Sequence, residues 1–320
     1  MSPDSFSAKV LESSSPMFSV VIPTFNREKK VAKAVRSVLA QTFTDFEIVV
    51  VDDGSDETAR QLQDEFGDRV RYFRGLGQRV AGARNLAIGH ALGEWIAFLD
   101  SDDWWYPTKL ERYAEAARAH PEIGLFYSMM DMVDDRGRYI RTLPIRTRRD
   151  VYPAVLEGNF IFNSTVAVKR ECLSRVGLFD TKLIGCEDWE LFVRVTREFP
   201  ALLIDESLVA YEHSSSGSLS SNHEVWVAAH DEVIAKCLAA DTTLSSAWVQ
   251  RIHAGGHYVQ ARIYLGAGDE CHALENFRAA FRQNRRRWRA FVYMILLSWK
   301  PSRMILSRRA KVWLRLPEAR

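Results

Sequence analysis

The stretch IAFLDSDDWW, residues 96–105, holds the question on which fold and chemistry both turn. Ile96 to Leu99 are four apolar residues in succession, the pattern of a short strand buried on both faces. Asp100, Asp102 and Asp103 follow within four positions, and Trp104 and Trp105 close the run. Carboxylates this close repel one another, and burying one unpaired is costly. Something positive must compensate. A hard divalent cation, Mg2+ or Mn2+, does so through oxygen ligands and usually completes its shell with phosphate oxygens. The competing reading is of turn-forming aspartates that close a strand.

Around this stretch, strands and helices alternate. Phe18–Ile22 (FSVVI) reads as a buried strand closed by Pro23, and Asn26 stands where it can cap a helix whose Val31, Val35, Val38 and Leu39 recur at helical spacing. Phe46–Val51 (FEIVVV) is a second buried strand, closed by Asp52-Asp53-Gly54-Ser55. A helix from about Glu57, a strand near Val70–Phe73 and a helix through AGARNLAIGHALG, stopped at Gly93, lead back to the opening stretch. The alternation predicts an α/β fold with a doubly wound, mainly parallel sheet. Ligands of such sheets sit beyond the carboxyl ends of the strands, where these acids lie. Farther on, IGLFYSMMDMV and STVAVKR read as strands, EDWELFVRVTREF as a helix opening on Glu187 and Asp188, and ALLIDESLVAYEH as a strand pair. Beyond Asn222 the pattern is helical. The expected division is a disordered tail over residues 1–16, a catalytic domain over 17–222 and a helical region over 223–320.

Charge separates the last part from the rest. Between Phe281 and Pro317 there are eleven Arg or Lys and no Asp or Glu, so the remainder carries 32 basic against 41 acidic residues. That end is built for an anionic surface. Its longest apolar run, Ala290–Trp299, is half the roughly 20 residues that a spanning helix needs, so the expectation is peripheral contact with a membrane, or a helical hairpin packed on the catalytic domain. No RNA- or DNA-binding motif accompanies the basic residues, and no nucleic-acid partner is expected. Cys172, Cys186, Cys237 and Cys271 form no CxxC pair and read as reduced thiols. No apolar leader is read in the first sixteen residues. Together these point to a cytoplasmic protein, peripheral at the inner face of the membrane.

Four stretches, VVIPTFNR, VVVDDGSDE, GARNLAIGHALGEWIAFLDSDDWW and CEDWELFVR, stand in the order and spacing of family 2 glycosyltransferases, and the resemblance covers roughly residues 18–215. It implies a GT-A fold and an inverting transferase that uses a nucleotide-diphosphate sugar, most often a UDP-sugar, with Mg2+ or Mn2+. Carried over to this chain, it implies that Pro23, Thr24 and Asn26 line the nucleotide pocket, that Asp53 accepts a hydrogen bond from the base, and that Arg84 lies near the nucleotide. Asp102 would contact ribose or metal, with Asp100 or Asp103 completing the metal site. Asp188 matches the general base. His213, in YEHSSSGS, matches a histidine that reaches the metal or a phosphate, with Ser216 and Ser218 beside it. Trp104, Glu187 and Trp189 are candidates for the donor or acceptor pocket, although Trp189 can equally be a packing residue. The acceptor expected from the resemblance is a carbohydrate or a lipid-linked sugar of envelope polysaccharide or glycolipid assembly.

The chemistry agrees with those roles. Loss of a nucleoside diphosphate develops charge on phosphate, which a cation neutralises. A carboxylate on the opposite face of the sugar can take the acceptor's proton. Two rivals stand beside this reading. A nucleotidyltransferase would have a Gly-rich loop after the first strand, and PTFNREKK has no Gly. A catalytically silent sugar-nucleotide-binding module would be expected to have lost Asp188 or the clustered acids, and both are present.

Overall fold

A computed structural model describes residues 15–54, 56–143, 145, 151–213 and 223–298. Most of the expected tail, Ser216, Ser218 and residues 299–320 lie outside the described residues. Four strands, β1 (Phe18–Thr24), β2 (Phe46–Asp52), β3 (Arg71–Arg74) and β4 (Trp95–Phe98), run parallel in the order β3-β2-β1-β4. Helices α1 (Glu28–Leu39), α2 (Asp56–Phe66) and α3 (Arg79–His90) connect them. Along β1, Val20 and Ile22 enter one apolar cluster with Val31, Val35 and Val38 of α1, whereas Val21 enters another with Ala83 and Ala87 of α3. That period-two alternation between two covered faces is why the middles of β1 and β2, Val20–Ile22 and Ile48–Val51, are continuously apolar. Each such side chain fully removed from water contributes about 1.5–3 kcal/mol.

Past β4 the sheet becomes mixed. β5 (Trp104–Trp105), β6 (Leu125–Val133), β7 (Tyr139–Leu143), β8 (Ala167–Lys169) and β9 (Ala201–Glu212) extend the order as β4-β8-β6-β9-β5, with β7 on β6. β8 is antiparallel to both β4 and β6, β9 is parallel to β6, and β5 is antiparallel to β9. The fold is therefore an α/β GT-A-type arrangement whose parallel half is β1–β4. Between these strands lie α4 (Lys109–Ala119), a kinked turn α5 (Val151–Ala154), α6 (Arg170–Val176) and α7 (Glu187–Glu198).

Three local expectations change. Pro23 does not end β1, because pairing with β4 stops at Val21 while pairing with β2 continues to Thr24 opposite Asp52. A proline is tolerated where one side of the strand has no ladder to supply. Asn26 does not cap α1: its backbone bends left-handed (φ 49°), and the helix starts two residues later behind Arg27. Asparagine is among the few residues that adopt this bend readily. The segment ALLIDESLVAYEH is one strand, not two, since the shifts at Ser128 and Met129 of β6 absorb its extra residues.

The carboxyl-terminal helices are α8 (His223–Ala240), α9 (Ser246–Ala267), α10 (Glu270–Gln283) and α11 (Trp288–Ser298). Ala229, Val233, Ile234 and Cys237 of α8 and Ile252 of α9 share the apolar cluster of the sheet, while Tyr258 onward forms a separate one with Phe277, Ala290 and Leu297. The change from strands to helices near residue 222 is thus not a break in the core. Gly255 allows the close approach, since a Cβ there would overlap the backbone of Glu157. No described helix is long and apolar enough to cross a membrane.

Candidate active site

The parallel strands deliver their acids to one edge. At the end of β1 and β2, Thr24 Oγ1 and Asp53 Oδ2 are buried without a hydrogen-bond partner among the described residues, while Asp53 Oδ1 accepts from the Gly77 N–H at 3.0 Å. Gly54 and Gly75 make this cleft narrow: a Cβ on Gly54 would strike the Asn26 amide, and one on Gly75 the Asp53 carboxylate. The Thr24 and Asp53 oxygens belong to neighbouring backbone segments, since the Asp53 N–H donates to the Thr24 carbonyl at 3.1 Å. Pro23 is buried in β1 beside them.

At the end of β4 the three aspartates part company. Asp102 is half-exposed and paired with Arg27 at 2.8 Å. Asp100 is also half-exposed; its Oδ1 accepts from Arg84 at 2.8 Å and from the Asn163 amide at 2.8 Å. Asp103 turns inward, 4% exposed, where its carboxylate accepts from the Ser164 hydroxyl and from the Glu212 N–H at 3.4 Å. Burial, with Asp102 and Asp100 adding to it, holds the Asp103 carboxyl well above the usual aspartate range. His213 follows Glu212 at the end of β9, on the same rim, and its backbone N–H donates to the Val133 carbonyl at 2.9 Å.

On the far side, Gly185 (φ 101°) and Cys186 (φ 58°) form a left-handed corner that starts α7 and presents Glu187 and Asp188. Glu187 is buried and accepts from Arg84 at 2.7 Å. Asp188 is half-buried, and its carboxyl is pushed up to about 7, by burial first and by the neighbouring Glu187 second. Arg84 sits between the two groups, 4% exposed. Burial alone would lower its pKa, but Asp100, Glu187 and Asp188 more than offset that and hold it charged.

The tryptophans divide. Trp104 carries the Lys33 ammonium 3.1 Å from its ring centroid, on the rim strand β5. Trp105 is core and donates to the Ser164 carbonyl at 2.9 Å. Trp189 is core as well, 1% exposed, donating to the Val155 carbonyl at 2.8 Å and packed on the His230 ring; it does not line the cleft.

Among the described residues, no three His, Cys, Asp or Glu side chains are grouped so as to enclose a metal. The donor set nevertheless fits a cation shared with a diphosphate. Asp102 is a single half-exposed carboxylate with one oxygen on Arg27, and Mg2+ is typically held by one or two carboxylates plus substrate phosphates. Arg27, Asn163 and Ser164 were not singled out in the sequence as site residues. Arg27 stands in the quoted VVIPTFNR stretch. Ser164 opens the STVAVKR stretch, which reads as a strand, and Asn163 stands just before it; Asn-Ser-Thr before an apolar run is a turn signal, and these residues form a 3-10 turn ahead of β8.

A family model described as "Glycosyl transferase family 2" matches residues 19–176. The chain is 28% identical over 212 residues, 64% of its own length and 80% of the relative's, to an Escherichia coli protein named UDP-Glc:alpha-D-GlcNAc-diphosphoundecaprenol beta-1,3-glucosyltransferase WfgD. The first three curated relatives, uncharacterised glycosyltransferases at 29–36% identity, are matched over only 36–52% of their own length. In fold it is similar to S. aureus TarS 1-349 in complex with UDP-GlcNAc, with TM-score 0.62, 17% identity and coverage of 93% of this chain and 91% of that one. It is also similar to the mannosyltransferase PcManGT from Pyrobaculum calidifontis in complex with GDP-Man and Mn2+, with TM-score 0.57, 19% identity and coverage of 95% and 89%.

Proposed function

Because this chain belongs to glycosyltransferase family 2, we propose that it moves a sugar from a nucleoside-diphosphate donor, UDP being the nucleotide of choice, to an acceptor hydroxyl in one inverting displacement. The observation that carries this reading is the Asp188 carboxyl. It is half-buried at the start of α7, with a pKa of about 7, and it is tied through Glu187, Arg84 and Asp100 to the rim where the phosphates would lie. A general base works best when its pKa lies near the operating pH.

In this reading Thr24, Asn26 and Asp53 receive the nucleotide in the narrow cleft, where the bare Asp53 Oδ2 accepts from the base and Thr24 Oγ1 finds its partner in the ligand. Arg27 places a cation beside Asp102, at the diphosphate position. Mg2+ or Mn2+, held by Asp102 with donor phosphates and by His213 from the β9 rim, would neutralise the charge that develops on the leaving diphosphate. Asp188 takes the proton of the acceptor hydroxyl as that oxygen attacks the anomeric carbon. Glu187 and Arg84 hold the start of α7 in place, and Trp104, with the Lys33 ammonium over its ring, stands on the rim strand β5.

The acceptor proposed is a lipid-diphosphate-linked or free saccharide of envelope polysaccharide or glycolipid assembly. Its support is the acceptor printed in the name of the E. coli relative, together with the basic carboxyl end. The test is UDP release from a panel of UDP-sugars with Mn2+, comparing the parent chain with Asp188→Asn and Asp102→Asn. One donor should give metal-dependent release that Asp102→Asn abolishes, while Asp188→Asn still binds UDP and loses transfer. A chain that neither binds UDP nor releases it from any donor would overturn the proposal.

A further inference from the structure

Helix α11 is apolar on all sides from Ala290 to Leu297, yet among the described residues it is covered on only one. Ala290 and Leu297 are buried, and Tyr293 stacks on Phe277 with ring centroids 4.8 Å apart, so this face closes the carboxyl-terminal core. The opposite face carries Trp288, Phe291, Val292 and Ile295, at helical spacing i, i+3, i+4, i+7, with exposures of 61%, 44%, 39% and 54%. A helix that is hydrophobic all round is normally buried all round. Scattered exposed apolar residues need no explanation, but an aligned stripe does.

The stripe borders a groove of about 560 Å³ between α10 and α11, lined by Arg278, Phe291, Met294, Ile295 and Ser298. Basic side chains flank it. Arg289 lies over the Trp288 ring at 5.5 Å, and Arg285 over Phe281 at 4.9 Å; the Phe281 ring is itself 5.2 Å from that of Phe291. Arg278, Arg282, Arg285 and Arg286 are exposed, and the sequence has no Asp or Glu from Asn276 to Pro317. A protein partner recognised by its acids would need no aromatic stripe, and a nucleic acid would leave Phe291, Val292 and Ile295 without a partner. An apolar face edged by arginine matches one surface on both counts: acyl chains beneath anionic headgroups.

We propose that the outer face of α11 is a docking surface for an anionic lipid bilayer, with Trp288, Phe291, Val292 and Ile295 entering the acyl boundary and Arg278, Arg285 and Arg289 meeting headgroup phosphates. The helix lies in the plane of the interface, consistent with a described chain that has no spanning helix. This is independent of the proposed transfer chemistry, because vesicle binding is read without any substrate.

The experiment is sedimentation of the full chain with vesicles of phosphatidylcholine alone and of phosphatidylcholine containing one-third phosphatidylglycerol, at low and high salt. Binding should require phosphatidylglycerol and weaken with salt. Phe291→Ser/Ile295→Ser should lower the apparent affinity about tenfold, and Arg285→Glu/Arg289→Glu should lower it as much on anionic vesicles only. Unchanged far-ultraviolet circular dichroism and melting temperature establish that the variants fold. Binding that survives Phe291→Ser/Ile295→Ser unchanged would assign it to charge alone and overturn the proposal. So would absence of vesicle binding, including the case in which the chain instead self-associates through this face.

Discussion

Arg84 donates to Asp100 at 2.8 Å with one guanidinium nitrogen and to Glu187 at 2.7 Å with another. One buried cation on α3 thereby joins the end of β4 to the start of α7, which lies 103 residues beyond Arg84 in sequence. The fork geometry matters, because a lysine cannot hold two carboxylates in fixed mutual orientation. Removing one partner of a buried ionic group leaves the others uncompensated, which costs about 3–5 kcal/mol. Arg84→Ala should therefore lower the unfolding free energy on that scale in urea titration. Arg84→Lys should fold closer to the parent yet lose roughly tenfold or more in kcat, as catalytic groups drift by about 1 Å. An Arg84→Lys enzyme with parental kcat would show that the bridge only stabilises the fold.

The Asp188 carboxyl, at about 7, makes two pH predictions with opposite signs. As a base it must be ionised, so transfer should rise with pH through about 7 and level off above it, and kcat against pH checks this. For stability, the folded pKa lies above the unfolded value of about 3.9, so the folded chain holds a proton that the unfolded chain has released. The ionised form is therefore a liability absent below about pH 4, growing between 4 and 7, and complete above 7. Asp188→Asn should be more stable than the parent at pH 8, on the order of 1–2 kcal/mol after allowance for its partial contact with solvent. That advantage should vanish near pH 4. Melting temperatures at pH 4.5, 6 and 8 read it directly.

Neighbouring aspartates in the opening stretch should behave differently. Asp103 is 4% exposed and bonded to Ser164 and to the Glu212 N–H, whereas Asp102 is half-exposed on Arg27. Asp102→Asn should weaken UDP binding in the presence of Mn2+ at least tenfold while leaving the melting temperature unchanged, since it removes the half-exposed carboxylate proposed to hold the cation that the phosphates share. Asp103→Asn should bind UDP within about twofold of the parent, because this buried carboxyl is already occupied by the Ser164 hydroxyl and the Glu212 N–H. Calorimetric titration of both variants distinguishes them, and a larger loss in Asp103→Asn would make it a metal ligand after all.

These contrasts show where sequence patterns carry information. FSVVI and FEIVVV announce strands because both faces of the sheet are covered and, after Ser19 and Glu47, each stretch is continuously apolar and β-branched. β5 has two residues and β7 is half polar on an edge, so neither has a run long enough to read. The acids at strand ends are visible because a parallel sheet gathers such ends. Which of them faces inward is not, because the partners of Asp103 come from Ser164 and Glu212, far along the chain. Trp189 is ambiguous in the sequence for a related reason: beside Glu187 and Asp188 it can be a pocket or a packing residue, and the next position round a helix points about 100° away, here into the core.

Gly255 offers a test of how the helical region is attached. A Cβ at this position would overlap the backbone carbonyl of Glu157, and backbone cannot swing aside as a long side chain can. Glu157 is also the anchor for two cations of the same region, Arg251 at 2.5 Å and Arg287 at 2.9 Å, so displacing it disturbs both pairs. Gly255→Ala would gain helix propensity of about 1 kcal/mol at an unstrained site. Here overpacking should outweigh that gain and leave a net loss of about 1–3 kcal/mol. Because α8 and the first half of α9 share the apolar cluster of the sheet, the loss should appear as a lower midpoint of one cooperative transition. A separate early transition in calorimetry, with the main one unmoved, would instead mean that the carboxyl-terminal helices fold as a unit of their own.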